Sequence, residues 1–231
     1  KSGLTFAPEA GSQRLQRVIN KYTSLDELTE TAAAAFSRGW RSLKLYFMLG
    51  LPTETTDDIE SLIQLINRVH SLGGKASGKR PQLRVSLSTF VPKPHTPFQW
   101  VAQESEPELM AKHELLKQGL RRKGIKLSWQ DTKVSLLEAI LSRGDRRLGK
   151  VIYRAWQLGA RFDGWSEHFN YEIWLGAFRE AGLEPDFYAR RQRPLDEPLP
   201  WAHIDVGLSP AFLKREYQRA LDGKETPDCR L

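Results

Sequence analysis

The feature that most constrains this chain is a repeated change of hydrophobic period within its first hundred residues. Short apolar or alternating runs of strand length are separated by stretches with a helical period. Residues 3–7 (Gly-Leu-Thr-Phe-Ala) form the first run. Behind Gly11, Leu15, Val18 and Ile19 recur at helical spacing, with Ser12 as candidate N-cap. A second helix is predicted from Ser24, where Glu27 completes a capping box, through 32–35 to a stop at Gly39. Residues 42–49 read as a buried strand closed by Gly50 and Pro52. Asp57 or Asp58 starts a third helix bearing Ile59, Leu62, Ile63, Ile66 and Val69. It is expected to end before Gly73-Gly74 and to leave 73–81 as a flexible surface loop. Over 82–91, Leu83, Val85, Leu87 and Thr89 alternate with Arg84, Ser86 and Ser88, which gives a third strand.

Strands alternating with helices at this spacing imply right-handed crossovers and a parallel sheet. The fold class is therefore α/β. Three strands are too few to close a barrel and leave two unprotected edges, which argues against a complete small enzyme. We read residues 1–104 as half of a larger (β/α) barrel, its strands four to six. Residues 105–231 read as a mainly helical C-terminal extension. It holds predicted helices over 105–123, 132–143, 145–159, 170–181 and 210–222 and a short strand at 125–129.

Composition excludes several classes. No window holds 18 consecutive apolar residues, so no membrane span is expected. The opening residues lack the apolar core of a signal peptide and read as the middle of a domain. The single cysteine, Cys229, excludes an internal disulfide and any multi-cysteine metal site from this chain alone, and the expected location is cytoplasmic. No ligand spacing demands a metal at Asp163, Glu167 and His168. The net charge of +7 favours polyanions, nucleic acid above all, without specifying a fold.

Sites in parallel α/β folds lie at the carboxyl ends of the strands. Three segments fall there. In the first, the Gly11-Ser12 turn presents backbone N–H groups to an anion, with Glu9 placed for hydroxyl or amino groups and Arg14 for a carboxylate. Helix capping is the alternative. The second is the Gly50-Leu51-Pro52 turn, which lets a flat ligand lie against the backbone. The third, 90–98, is a proline-stiffened loop carrying Lys93 and His95; a hydrogen-bonded loop histidine is the alternative for His95. Lys44 lies within an otherwise apolar strand and must point at something polar, with Tyr46 beside it.

The succession of these segments resembles the second half of the radical S-adenosylmethionine (radical SAM) superfamily. Ala-Pro-Glu-Ala-Gly-Ser-Gln-Arg-Leu at 7–15 looks like its fourth-strand exit. Lys-Leu-Tyr-Phe-Met-Leu-Gly-Leu-Pro-Thr-Glu-Thr at 44–55 is similar to its fifth-strand motif, and Ser-Thr-Phe-Val-Pro-Lys-Pro-His-Thr-Pro-Phe at 88–98 to its sixth-strand exit. Ser-Arg-Gly-Asp-Arg-Arg-Leu at 142–148, Phe-Asp-Gly-Trp-Ser-Glu-His-Phe at 162–169 and Leu-Pro-Trp-Ala-His-Ile-Asp at 199–205 resemble later markers of a bacterial cobalamin-binding group within it.

The resemblance covers essentially the whole chain and implies a radical SAM-type partial (β/α) barrel. It implies S-adenosylmethionine and a [4Fe–4S] cluster as cofactors of the intact enzyme, with cobalamin a further candidate. Glu9, Ser12 and Arg14 would hold the ribose and amino-acid part of S-adenosylmethionine. Gly50, Leu51 and Pro52 would contact adenine, with Val91 and Pro92 closing its other side. Lys44, Tyr46, Lys93 and His95 would face the barrel interior as catalytic candidates. The superfamily's three-cysteine cluster motif is absent here, so the chain is expected to be a C-terminal portion, inactive alone. Its implied partner is the upstream half of the same barrel, or another chain supplying it.

In the helical half, Arg143, Arg147, Lys150 and Arg154 recur at spacings that on one helix would share a face able to track phosphates. A solvated surface is the alternative. The aromatic set Trp156, Phe162, Trp165, Phe169, Trp174 and Phe178 could stack bases or, more in keeping with its spacing, form core. RNA is thus the candidate substrate or partner. A non-catalytic nucleic-acid-binding or assembly module on a half-barrel scaffold is the competing function.

Overall fold

The computed structural model describes residues 3–227; Cys229 lies outside them. Its elements run β1 (Leu4–Glu9), α1 (Gln13–Val18), α2 (Leu25–Ser37), β2 (Ser42–Leu49), α3 (Thr56–Ser77), β3 (Gln82–Thr89), α4 (Glu106–Gly119) and β4 (Ile125–Trp129). There follow α5 (Thr132–Arg143), α6 (Leu148–Gln157), α7 (Tyr171–Ala181), α8 (Pro185–Ala189) and α9 (Pro210–Leu221). They form two compact units. The first takes the chain to Phe90, returns for Glu106–Gln130 and ends with the segment from Arg215; the second is Val91–Ser105 and Asp131–Lys214.

In the first unit, β1 to β4 form one parallel sheet in sequence order. β2 and β3 pair in unbroken register from Ser42 opposite Gln82 to Leu49 opposite Thr89. The helix and strand at 106–130, expected in the C-terminal extension, instead continue this sheet, with β4 pairing on β3 from Leu83 opposite Ile125. The reason is the crossover rule: α4 returns the chain so that the next apolar run adds in parallel.

Side chains alternate across the sheet. Leu43, Leu45, Phe47, Leu49, Leu83, Val85 and Leu87 are buried against Ala32 and Phe36 of α2, Ile59, Leu62, Ile66 and Val69 of α3, and Leu109 and Leu116 of α4. Each fully buried Leu or Ile contributes about 1.5–3 kcal/mol of transfer free energy. The opposite face is polar and part-exposed: Thr5, Lys44, Tyr46, Met48, Arg84, Ser86, Ser88, Lys126 and Ser128. A parallel sheet with helices on one face only is unusual, because such sheets are ordinarily covered on both.

The loop expected over 73–81 is largely helix, since α3 runs to Ser77 and ends in the left-handed Gly78. Gly73 is not a breaker here. A Cβ there would lie 2.4 Å from the Phe36 ring, so the glycine lets α3 press onto α2. The 22-residue α3 is amphipathic, and among the described residues no helix is long and apolar enough to cross a membrane.

The second unit is built on Leu136, Leu137 and Ile140 of α5, Leu148 and Val151 of α6, Trp174 and Phe178 of α7 and Tyr188 of α8. The expected aromatic core divides. Trp174 and Phe178 are buried, whereas Trp156, Phe162 and Trp165 are exposed.

The shared basic face over 143–154 does not form. α5 ends at Arg143 and α6 starts at Leu148, so Gly144 breaks the helical phase that would align the four cations. Arg143 is fully buried and donates from Nη1 to the Ala189 carbonyl (2.5 Å) and from Nη2 to that of Arg191 (2.9 Å). It holds the end of α8 and is closed to phosphates. Burial pulls its guanidinium down to about 10, with the neighbouring Arg193 charge adding to the effect, so it remains charged at neutral pH. Arg147 is clamped to Asp145 (2.7 Å) and Arg154 to Glu180 (2.5 Å), leaving Lys150 exposed on α6.

Candidate functional site

Parallel order places every strand's carboxyl end on one edge of the first unit, and the candidate residues of β1 and β2 meet there. Two non-glycine residues at this end, Glu9 and Thr53, are held in the left-handed region, both at φ 65°. Such strain costs on the order of 1 kcal/mol and persists only where surrounding contacts fix it.

Thr53 is held by Arg14, which is in turn held by Asp58, the third residue of α3. Its carboxylate accepts from the Ser12 hydroxyl (2.5 Å), the Thr55 N–H and hydroxyl (2.9 Å each) and the Arg14 guanidinium. Arg14 also donates to the Thr53 carbonyl (2.7 Å) and hydroxyl (3.1 Å). Burial raises the Asp58 pKa, but the bonds from Arg14, Ser12 and Thr55 outweigh it and hold the carboxyl below its usual range. Ser12 caps α1 by accepting from the Leu15 N–H (3.1 Å) while donating to Asp58. The capping alternative for this turn is therefore realised, and Ser12 and Arg14 clamp the β1 and β2 exits together.

Gly11 serves the same packing, for its absent Cβ would stand 2.4 Å from the Leu62 Cα. Glu9 accepts from Lys21 Nζ (2.7 Å). Asp58 was expected only as a start of α3 and Thr53 was given no role; Thr55 is the N-cap and Asp58 its capping-box partner, a Thr-x-x-Asp signature at 55–58.

At the β2 exit, Gly50, Leu51 and Pro52 are buried, with Gly50 at φ 77°. The Gly50 N–H donates to Glu54 Oε1 (3.0 Å), which also accepts from Lys112 of α4 (2.6 Å). Glu54 is 2% exposed and Lys112 14%, so this is a nearly dry ion pair behind the turn. It is a second feature that sequence reasoning passed over, because Lys112 lies 58 residues away.

On the polar face, Lys44 Nζ lies 4.4 Å from the Tyr46 ring centroid and bonds the phenol oxygen. Strand register sets Tyr46 beside Ser86, and Ser86 beside Ser128. Hydroxyls together with the cations Lys44, Arg84 and Lys126 thus line this face, able to orient a polar ligand.

The remaining candidates belong to the second unit. Val91 packs on its core, and Pro92 is buried. Lys93, expected to face a barrel interior, is held by Glu138 (2.5 Å) and Ser142 (3.3 Å) of α5. His95 adopts φ 57° and its N–H donates to Gln99 Oε1 (3.1 Å), which also accepts from Trp201 Nε1 (2.7 Å). His95 lines a cavity of about 330 Å³ with Trp201, Asp205, Leu213 and Lys214. The structure therefore gathers Glu9, Ser12, Arg14, Gly50, Leu51 and Pro52 at one edge, and Lys44 with Tyr46 on the adjoining face. Val91, Pro92, Lys93 and His95 are residues of the second unit.

Among the described residues no cluster of three His, Cys, Asp or Glu could hold a metal ion. With one cysteine in the whole sequence, the residues present do not fit a [4Fe–4S] cluster.

No family model matches the sequence, and no solved structure matches it. The chain is 30% identical over 180 residues to an uncharacterized protein of Methanocaldococcus jannaschii. The match takes in 78% of this chain but 38% of that protein, so the chain spans well under half of the relative it resembles.

Proposed function

We propose that this chain is the carboxyl-terminal portion of a radical SAM enzyme, contributing the later strands of its partial barrel and part of its S-adenosylmethionine pocket. One observation carries the reading: a parallel sheet covered by helices on one face and lined by Lys44, Tyr46, Ser86 and Ser128 on the other. That asymmetry is what a segment of an open (β/α) barrel requires, with its inward face left for ligand. It fits two packed layers of an ordinary doubly wound fold poorly, because that fold buries both faces.

S-adenosylmethionine held here would supply the adenosyl group for radical chemistry, and the one electron that its reductive cleavage consumes would have to come from a cluster held outside this chain. Cluster ligands must then come from sequence outside this chain. The residues here would bind and orient. Glu9 offers a carboxylate to ribose hydroxyls or the amino group, and the Arg14–Asp58–Ser12 clamp fixes the turn that presents it. The Gly50–Pro52 backbone, backed by Glu54 and Lys112, offers a flat surface for adenine. Lys44 and Tyr46 would hold or move a proton on the substrate.

The test is equilibrium binding of S-adenosylmethionine to the full-length protein that contains this chain. Glu9→Gln and Arg14→Gln should each weaken binding about tenfold, the value of one charged hydrogen bond. No binding to the wild type, or unchanged affinity in both variants, sinks the assignment.

A further inference from the structure

The chain's positive charge is not evenly spread. The second unit carries 13 Lys and Arg against 13 Asp and Glu, so the whole excess of +7 belongs to the first. Within the first unit, residues 31–53, 61–90 and 115–130 contain no acidic residue at all. These stretches are the later parts of α2, α3 and α4 together with β2, β3 and β4, into which each helix runs.

A parallel sheet brings all its helix-to-strand loops to one end, the amino end of the strands. The loops before β2, β3 and β4 carry Arg41, Lys79, Arg80, Arg121, Arg122 and Lys123, every one exposed. Strand register extends this surface onto the open face. Lys44 pairs with Arg84, and Arg84 with Lys126, so three cations stand abreast. With strands about 4.8 Å apart, the row spans about 10 Å.

Cations favour helix carboxyl termini, and that accounts for one or two per loop. It does not account for the strand row. Like charges abreast on adjacent strands destabilise a sheet. Neither Arg84 nor Lys126 has a carboxylate partner among the described residues. An external anion is what such a row calls for.

We propose that the amino end of this sheet, with the Lys44–Arg84–Lys126 row, binds the phosphate backbone of a nucleic acid without reading its sequence. An anionic membrane fits less well, since docking there needs apolar side chains to insert. In these loops Pro81 and Leu120 are buried and Trp40 is half-buried. An acidic protein partner fits less well for a related reason: protein interfaces centre on aromatic or aliphatic anchors, and no exposed one lies among these cations. Phosphate contacts need only distributed positive charge. Lys44 also serves the S-adenosylmethionine reading, whereas the cations of the helix-to-strand loops do not, so those loop cations carry the test independently of it.

The test is binding of labelled single-stranded RNA and DNA of about 20 nucleotides to the complete chain, across about 50–200 mM salt. The variant Lys79→Gln/Arg121→Gln/Lys123→Gln should lose tenfold or more at low salt. Its log–log salt slope should become shallower by about 2, as expected for three lost contacts to a single strand. The control Arg146→Gln/Lys150→Gln/Arg179→Gln removes equal charge from the second unit and should stay within about twofold of wild type. Lys123→Gln alone, expected to show about a third of the slope change, guards against a triple variant that melts early. Absence of salt-dependent binding would overturn the proposal. Equal losses in the two triple variants would also do so, as would stronger binding to phosphatidylserine vesicles than to RNA.

Discussion

Asp58→Ala should lower the stability of the first unit by about 3 kcal/mol at pH 7. The figure is built from the contacts. Loss of the capping interaction with Thr55 costs about 1 kcal/mol. The bond from Ser12 to a charged, nearly buried acceptor contributes about 1–1.5 kcal/mol. The Arg14 pair contributes at most about 1 kcal/mol, discounted because the Arg14 side chain is 48% exposed and re-solvates when released. The sign of the pH dependence follows from the lowered carboxyl pKa. A carboxylate that titrates lower in the folded than in the unfolded state contributes stability above the unfolded value, near pH 4, and loses it as pH falls through the folded one. The gap between wild type and variant should therefore be full at about pH 5–7 and shrink below about pH 4. Urea unfolding followed by hydrogen exchange in peptides from the start of α3 reads the effect locally. A gap below about 0.5 kcal/mol at neutral pH would refute the clamp, as would one that widens on acidification.

Four further outcomes are expected. Gly11→Ala should destabilise the first unit by about 2–3 kcal/mol in thermal melts, because the new Cβ meets α3 backbone and not a yielding side-chain tip; an unchanged midpoint would contradict the packing. Lys112→Met should cost about 3 kcal/mol by deleting one member of the dry Glu54 pair, whereas the double change Lys112→Met/Glu54→Gln should cost less, and a larger loss in the double would count against it. Arg143→Ala should cost about 3 kcal/mol in the second unit and leave nucleic-acid affinity untouched; a selective affinity loss would restore it as a phosphate contact. His113, stacked on Trp129 at 4.7 Å, is lowered by burial and then by Lys117, and His70 is lowered chiefly by burial. A histidine lowered on folding costs stability as pH falls below about 6.5, so the wild type should weaken from about pH 7 to pH 5 and His113→Gln/His70→Gln should flatten that limb.

Much of the sheet was legible because its signals are local. An apolar run located β2 and period-two alternation located β3 within a residue or two, and the capping residues Ser12 and Ser24 mark helix starts where they were expected. What escaped depends on contacts between distant residues. Gly73-Gly74 looks like a stop until Phe36 is seen pressed against the first glycine. The 125–129 strand looks like part of an extension until α4 is recognised as its crossover. Arg143 looks like a surface cation because nothing nearby in sequence shows that Ala189 and Arg191 offer their carbonyls to it. At the carboxyl edge, the residue types were readable, but their fixing by Asp58 and by the Glu54–Lys112 pair was not, since Asp58 lies 44 residues from Arg14 and Lys112 lies 58 from Glu54.

The central claim is that these strands belong to an enzyme that cleaves S-adenosylmethionine. Its most direct measurement is 5′-deoxyadenosine formation by the full-length protein, purified without oxygen, reconstituted with iron and sulfide, and reduced. The account predicts 5′-deoxyadenosine together with bound iron, and reduced product when Glu9 is changed to glutamine. A protein that binds neither iron nor S-adenosylmethionine and forms no 5′-deoxyadenosine would contradict it.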